Sequence, residues 1–149
     1  MDRFAARLTL GYVSPEEEVA VLSAQEKAHP IDRLGSVVTL ADVLALKRAV
    51  TEVRISAELK RYIVDLVSAT RTASGVSLGA SPRASLSLRK VAQASALFDG
   101  REFVTPEHIQ QMAVPVIAHR MVMDPQARFS GVTARGVVEE LMKKLKVPA

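Results

Sequence analysis

Cysteine and tryptophan are absent from these 149 residues, and aromatic side chains make up only 4% of them. Without cysteine, neither a disulfide framework nor a thiolate metal site can form, which fits a cytoplasmic protein. With so few aromatics the core must be built from Leu, Val, Ile, Ala and Met, and that favours helices packed on helices over a sandwich or barrel. No run approaches the roughly 18 apolar residues that span a bilayer, and the start of the chain lacks a signal-peptide layout, so no membrane partner is expected. The glycines stand at 11, 35, 75, 79, 100, 131 and 136 and none precedes a lysine, which excludes a Walker A phosphate loop. His29, His108 and His119 have no zinc-site spacing and read as a surface, a helix-start and a helix-end residue. No serine–histidine–acid set can be argued from sequence distance. Val137-Val138-Glu139-Glu140 only faintly resembles a Walker B strand and reads as the solvated acidic face of a helix. By itself, then, the chain is not read as an enzyme.

What is present is ordinary for a globular protein of one domain, or one domain with an appendage: 48% hydrophobic and 24% charged residues. A net charge of +4 permits a polyanionic partner, either nucleic acid or nucleotide phosphate, but the cations are dispersed along the chain.

Leu8, Leu10 and Tyr12 alternate with Thr9 and Gly11, a short strand signal. A lone strand needs partners, so residues 1–13 read as the last strand of a core lying upstream, with 14–149 as a helical domain. Ser14-Pro15-Glu16-Glu17 is a capping box with proline at the first helical position. The helix it opens is expected to run to about Ala28, with Val19, Leu22 and Ala20 or Val21 inward. Thr39 caps a second helix to about Thr51, striped by Leu40, Val43, Leu44, Leu46 and Val50. Val53-Arg54-Ile55 reads as extended. Ser56 caps a third helix, carrying Leu59, Ile63, Leu66 and Val67 on one face, expected to reach Ser74 with Gly75 as its stop. A fourth, from Pro82 to about Phe98, has a small inner face (Ala84, Leu88, Val91, Ala92, Ser95) and should sit centrally. Phe103-Val104 is extended, and Thr105-Pro106-Glu107 opens a fifth helix that Pro115 is expected to kink. Residues 119–132 read as irregular. Thr133 caps a last helix bearing Val137, Val138, Leu141 and Leu145. The predicted fold class is all-α, a bundle of about five to six helices trailing a strand remnant.

Among these starts, Gly79-Ala80-Ser81-Pro82-Arg83-Ala84 is unusual because it carries a cation. Ser81 can cap, Pro82 suits the first helical position, and Arg83 falls in the first turn, where the helix dipole disfavours positive charge. A cation there makes most sense beside an anion, since a helix N-terminus already attracts phosphate. The bland reading is a solvated arginine after a cap.

Several stretches resemble one family, the MoxR-type AAA+ ATPases, over nearly the whole chain. Asp2-Arg3-Phe4 and Leu10-Gly11-Tyr12 with Ser14-Pro15-Glu16-Glu17-Glu18 look like the end of that family's ATPase core. Tyr62 to Val67 with Thr70-Arg71 resembles its lid helix, and Gly79 to Ala84 matches its sensor 2 motif. Gly100-Arg101, Val104-Thr105-Pro106, Ile109 and His119-Arg120 resemble the rest of its lid signature. The resemblance implies a C-terminal lid of AAA+ type. It implies that Arg83, presented by Ser81 and Pro82, reaches the γ-phosphate of ATP in its own subunit. It implies that Arg3 is a candidate arginine finger acting in trans on the neighbour's ATP. Both roles suit a guanidinium, which is always charged and offers two donors to phosphate. ATP with magnesium is then the parent's ligand, with none expected to bind tightly to this chain alone. The implied partners are the missing core in cis, neighbouring subunits of a ring, taken as hexameric, and an unknown client protein. P-loop, Walker B and sensor 1 segments are missing, which implies a truncated fragment, and Met1 stands where the family usually has an apolar residue, which implies an engineered or misassigned start. Arg71 matches a recurrent basic position with no role beyond surface charge. Two readings from other classes remain: a small helical nucleic-acid-binding module, disfavoured because the fourth helix lacks a dense basic face, and a structural oligomerisation module.

Overall fold

A computed structural model describes residues 3–26 and 29–148. Met1, Asp2 of the Asp-Arg-Phe segment, Lys27 and Ala28 at the expected end of the first helix, and Ala149 lie outside the described residues. The described residues are mostly helical: α1 (Pro15–Ala24), α2 (Leu40–Glu52), α3 (Ala57–Ala69), α4 (Pro82–Phe98), α5 (Pro106–Ile117), α6 (Pro125–Phe129) and α7 (Ala134–Lys144). Two short strands, β1 (Val76–Leu78) and β2 (Val122–Met123), complete them. Among the described residues no helix is long and apolar enough to cross a membrane.

The chain divides into two compact units, one of residues 3–7 with 47–148 and one of Leu8–Leu46. In the larger unit, α4 packs against α3 and α5, and α5 also meets α7. Every fourth residue along one face of α4 (Ala84, Leu88, Ala92 and Ala96) is fully buried. Three alanines in that row let the neighbouring helices approach closely, which puts α4 at the centre as expected. Leu66, Val67, Ile109, Val116, Ile117 and Val138 fill the space around it. The expected inward residues Leu59 and Ile63 are buried, while Val91 and Ser95 are only half-buried. Their place is taken by Ala96 and by Gln93, whose Nε2 donates to the Val53 carbonyl at 2.7 Å and closes the α2–α3 junction.

The two extended pieces seen in the sequence find each other. Arg54 pairs with Phe103 in a parallel bridge, with Arg54 N–H donating to Glu102 and Val104 N–H to Arg54. Three expectations are corrected. Helix α3 stops at Ala69, six residues before Gly75, because the Thr70 hydroxyl donates back to the Val67 carbonyl and the chain turns there. Gly75, at φ +76°, instead leads into β1. The stretch 119–132 is ordered: β2 pairs antiparallel with β1, and Asp124 caps α6 ahead of Pro125. At Pro115 helix α5 runs on to Ile117 and then tightens into a 3₁₀ turn over Ala118–Arg120.

The smaller unit departs further from the sequence reading. Leu8–Tyr12 forms no strand: Gly11 takes φ +77°, and Leu10 and Tyr12 are fully exposed. Helix α1 ends at Ala24 and buries none of its residues, so Val19 and Leu22 do not point inward. What forms α1 is its start, with Ser14 N–H donating to Glu17 and Glu17 N–H to the Ser14 hydroxyl. The start of α2 repeats the device with Thr39 and Asp42. These bonds to the charged carboxylates hold Glu17 and Asp42 below their usual pKa ranges, for Glu17 chiefly the Ser14 backbone N–H and for Asp42 chiefly the Thr39 hydroxyl.

Candidate functional site

The site is built where α3 ends and α4 begins. Thr70 is fully buried, and its hydroxyl oxygen accepts the Ala80 N–H at 2.9 Å. Arg71 Nε donates to the carbonyl of the same residue at 3.0 Å. Both polar groups of Ala80 are therefore fixed by consecutive residues of one turn. Gly79 lies so close against that turn that an added Cβ would sit 2.5 Å from the Arg71 Cα. Arg71, read from the sequence as surface charge, is thus a structural tie to the sensor-like stretch. The signal available was the pairing of Thr70-Arg71 with a glycine a few residues on, but nothing in sequence spacing showed that they meet.

Past this tie, Ser81 caps α4 as expected, its hydroxyl accepting the Arg83 N–H at 3.3 Å, with Pro82 at the first helical position. The Arg83 side chain is exposed, and among the described residues it has no hydrogen-bond or ion-pair partner. Between α3 and α4 runs a groove lined by Ile63, Val64, Pro82 and Leu86 together with Lys60, Arg71 and Arg89. A positive helix end with a guanidinium that has no partner among the described residues suits an anion.

Arg3 lies in a turn in the same unit, also exposed and without a partner among the described residues. The residue after it is held firmly. Arg120 Nη2 donates to the Phe4 carbonyl at 2.6 Å, and His119 Nε2 faces the same oxygen at 3.2 Å. Arg7 N–H donates to the Pro115 carbonyl at 2.9 Å, an oxygen that also faces His119 Nδ1. Arg120 is buried and its Nη2 makes a second bond, to the Ser87 hydroxyl on α4 at 3.0 Å.

His108 sits at the start of α5. Its Nδ1 accepts the Thr105 N–H at 2.9 Å, so the proton is on Nε2, which donates to Asp99 at 3.1 Å. It lies at a helix start, as the sequence suggested, and completes a capping box with Thr105 in the place a glutamate usually holds. Among the described residues no group of His, Asp and Glu is arranged to hold a metal ion.

Residues 68–141 match a family described as the AAA lid domain. Over 148 residues the chain is 45% identical to the uncharacterized protein YeaC of Bacillus subtilis, a match that spans 99% of this chain and 46% of that protein. It is 29% identical over 156 residues to chaperone MoxR1 of Mycobacterium tuberculosis, spanning 99% of this chain and 41% of that one. The crystal structure of a candidate ATPase from Cytophaga hutchinsonii superposes with a TM-score of 0.88 at 31% identity, over 99% of this chain and 48% of that one. The chain thus spans less than half the length of these relatives.

Proposed function

Because the chain carries the AAA lid of a MoxR-family ATPase, we propose that it is the nucleotide-sensing lid of a ring ATPase. ATP, bound with magnesium by the core of its own subunit, meets Arg83 at the γ-phosphate. Arg3 is offered in trans to the ATP of the neighbouring subunit. Lid movement couples binding and hydrolysis to chaperone-like remodelling or assembly of a client protein in the cytoplasm.

The observation that carries this reading is the state of Arg83. Its backbone is tied through Ser81 and Ala80 to α3, while its guanidinium is exposed at a helix N-terminus and without a partner among the described residues. A cation in that position works against the helix dipole unless an anion joins it. Phosphoryl transfer spreads negative charge over the γ-phosphate oxygens, and a fixed guanidinium stabilises that charge without reorganising.

The test joins the lid to its ATPase core and compares ATP binding and hydrolysis with and without Arg83→Ala. Hydrolysis is expected to fall by about tenfold or more, roughly 1.4 kcal/mol of barrier, while ATP still binds. Unchanged hydrolysis would leave Ser81-Pro82-Arg83 as a helix cap and nothing else.

A further inference from the structure

We propose that Arg120 is a positioning residue that ties the segment carrying Arg3 to the helix carrying Arg83. The inference rests on the nucleotide-sensing reading of those two arginines. Its physical basis is a single nitrogen. Arg120 Nη2 lies 2.6 Å from the Phe4 carbonyl and 3.0 Å from the Ser87 hydroxyl. Phe4 is the next residue after Arg3. Ser87 is four residues after Arg83, one turn along the same face of α4. Arg120 itself is only 8% exposed, so its place is set by the protein around it and not by solvent.

The surrounding contacts show what this nitrogen adds. His119 faces the Phe4 carbonyl, and Arg7 N–H bonds Pro115; both hold residues 4–7 to the end of α5. Neither reaches α4. The Arg120–Ser87 bond does, and so puts the two arginine-bearing segments under one constraint. A tilt of α4 that follows the state of its own subunit's ATP must either carry the Phe4 carbonyl with it or break a bond to a buried cation. The residue serving one ATP site is thereby linked to the residue serving the next. Such a link is a coupling between sites, and coupling is read as cooperativity.

Arg120 variants do not isolate this role, since a buried guanidinium supports the fold. Ser87→Ala is the cleaner probe because it removes only the hydroxyl and places the best helix former in a helix. The experiment uses the ATPase with its core present and measures the thermal midpoint, kcat and the Hill coefficient for ATP. Ser87→Ala is expected to keep the wild-type midpoint, lower kcat by about fivefold, and bring the Hill coefficient down to about one. Ser87→Thr, which keeps a hydroxyl, is expected to restore both. A merely structural serine would shift the midpoint and spare the Hill coefficient. A wild-type Hill coefficient of about one, or a Ser87→Ala enzyme identical to wild type, overturns the proposal. Arg3→Ala and Arg83→Ala run alongside. If those two lose hydrolysis while Ser87→Ala does not, the link alone fails. If they too are unaffected, the sensing reading falls, and the link with it.

Discussion

Arg71 Nε and the Ala80 carbonyl are 3.0 Å apart, and that bond joins the last turn after α3 to the loop that launches α4. Its companion, from Ala80 N–H to the Thr70 hydroxyl, lies in the buried interior. Together they decide where the N-terminus of α4 stands, and with it the base of the Arg83 side chain.

Gly79→Ala is expected to disturb that arrangement without touching Arg83. The new methyl would meet Arg71 backbone atoms at 2.5 and 2.7 Å, and backbone cannot swing aside as a side chain does. Overpacking of this kind costs about 1–3 kcal/mol. Chemical denaturation should show the destabilisation, and the core-joined ATPase should hydrolyse ATP more slowly although Arg83 is intact. Wild-type stability and rate together would mean that the loop has another place to go.

Gln93→Leu tests the buried amide. The substitution keeps the volume of the side chain but leaves the Val53 carbonyl, now bonded at 2.7 Å, without its donor. A buried acceptor without its hydrogen bond costs about 1–3 kcal/mol. The denaturation midpoint should fall accordingly, with Arg54–Phe103 pairing weakened beside it, as amide exchange at Arg54 and Val104 would report.

The starts of α1 and α2 should loosen in acid. Asp42 is held below the ordinary aspartate range by the Thr39 hydroxyl and N–H. A depressed carboxylate contributes stability above its unfolded pKa, about 3.9, and that stability disappears as the pH falls through the lower folded value. Helicity followed by far-UV circular dichroism should therefore drop below about pH 4. Asp42→Asn should begin with less helix at neutral pH and show a shallower acid limb. An unchanged limb would assign the acid response to other carboxylates.

Local signals were legible wherever they act within one turn. Ser14, Thr39, Ser56, Ser81, Thr105 and Thr133 all stand at the helix starts predicted for them. Apolar stripes identified the buried faces of α3 and α4 because a 3.6-residue period is a property of the sequence alone. The same reasoning failed for α1 and α2, whose stripes are present but bury no residue, since periodicity says which residues share a face and not what lies opposite. It also passed over Asp124-Pro125, a start of the same type as the others but opening only a five-residue helix. At the site, Ser81, Pro82 and Arg83 could be read directly. The contributions of Thr70, Arg71, Ser87 and Arg120 could not, because each depends on a partner between 9 and 116 residues away.

Helix α4 is 17 residues long, a rod of about 25 Å at roughly 1.5 Å per residue. Its alanine row lets it lie tight between its neighbours α3 and α5. Turned by about 5° around its Phe98 end, a rod of that length carries the Arg83 end through roughly 2 Å. A hydrogen bond tolerates only a few tenths of an ångström before it weakens. On the proposed reading of Arg83, small swings of the helix would bring its guanidinium within hydrogen-bond reach of an anion or carry it out of reach.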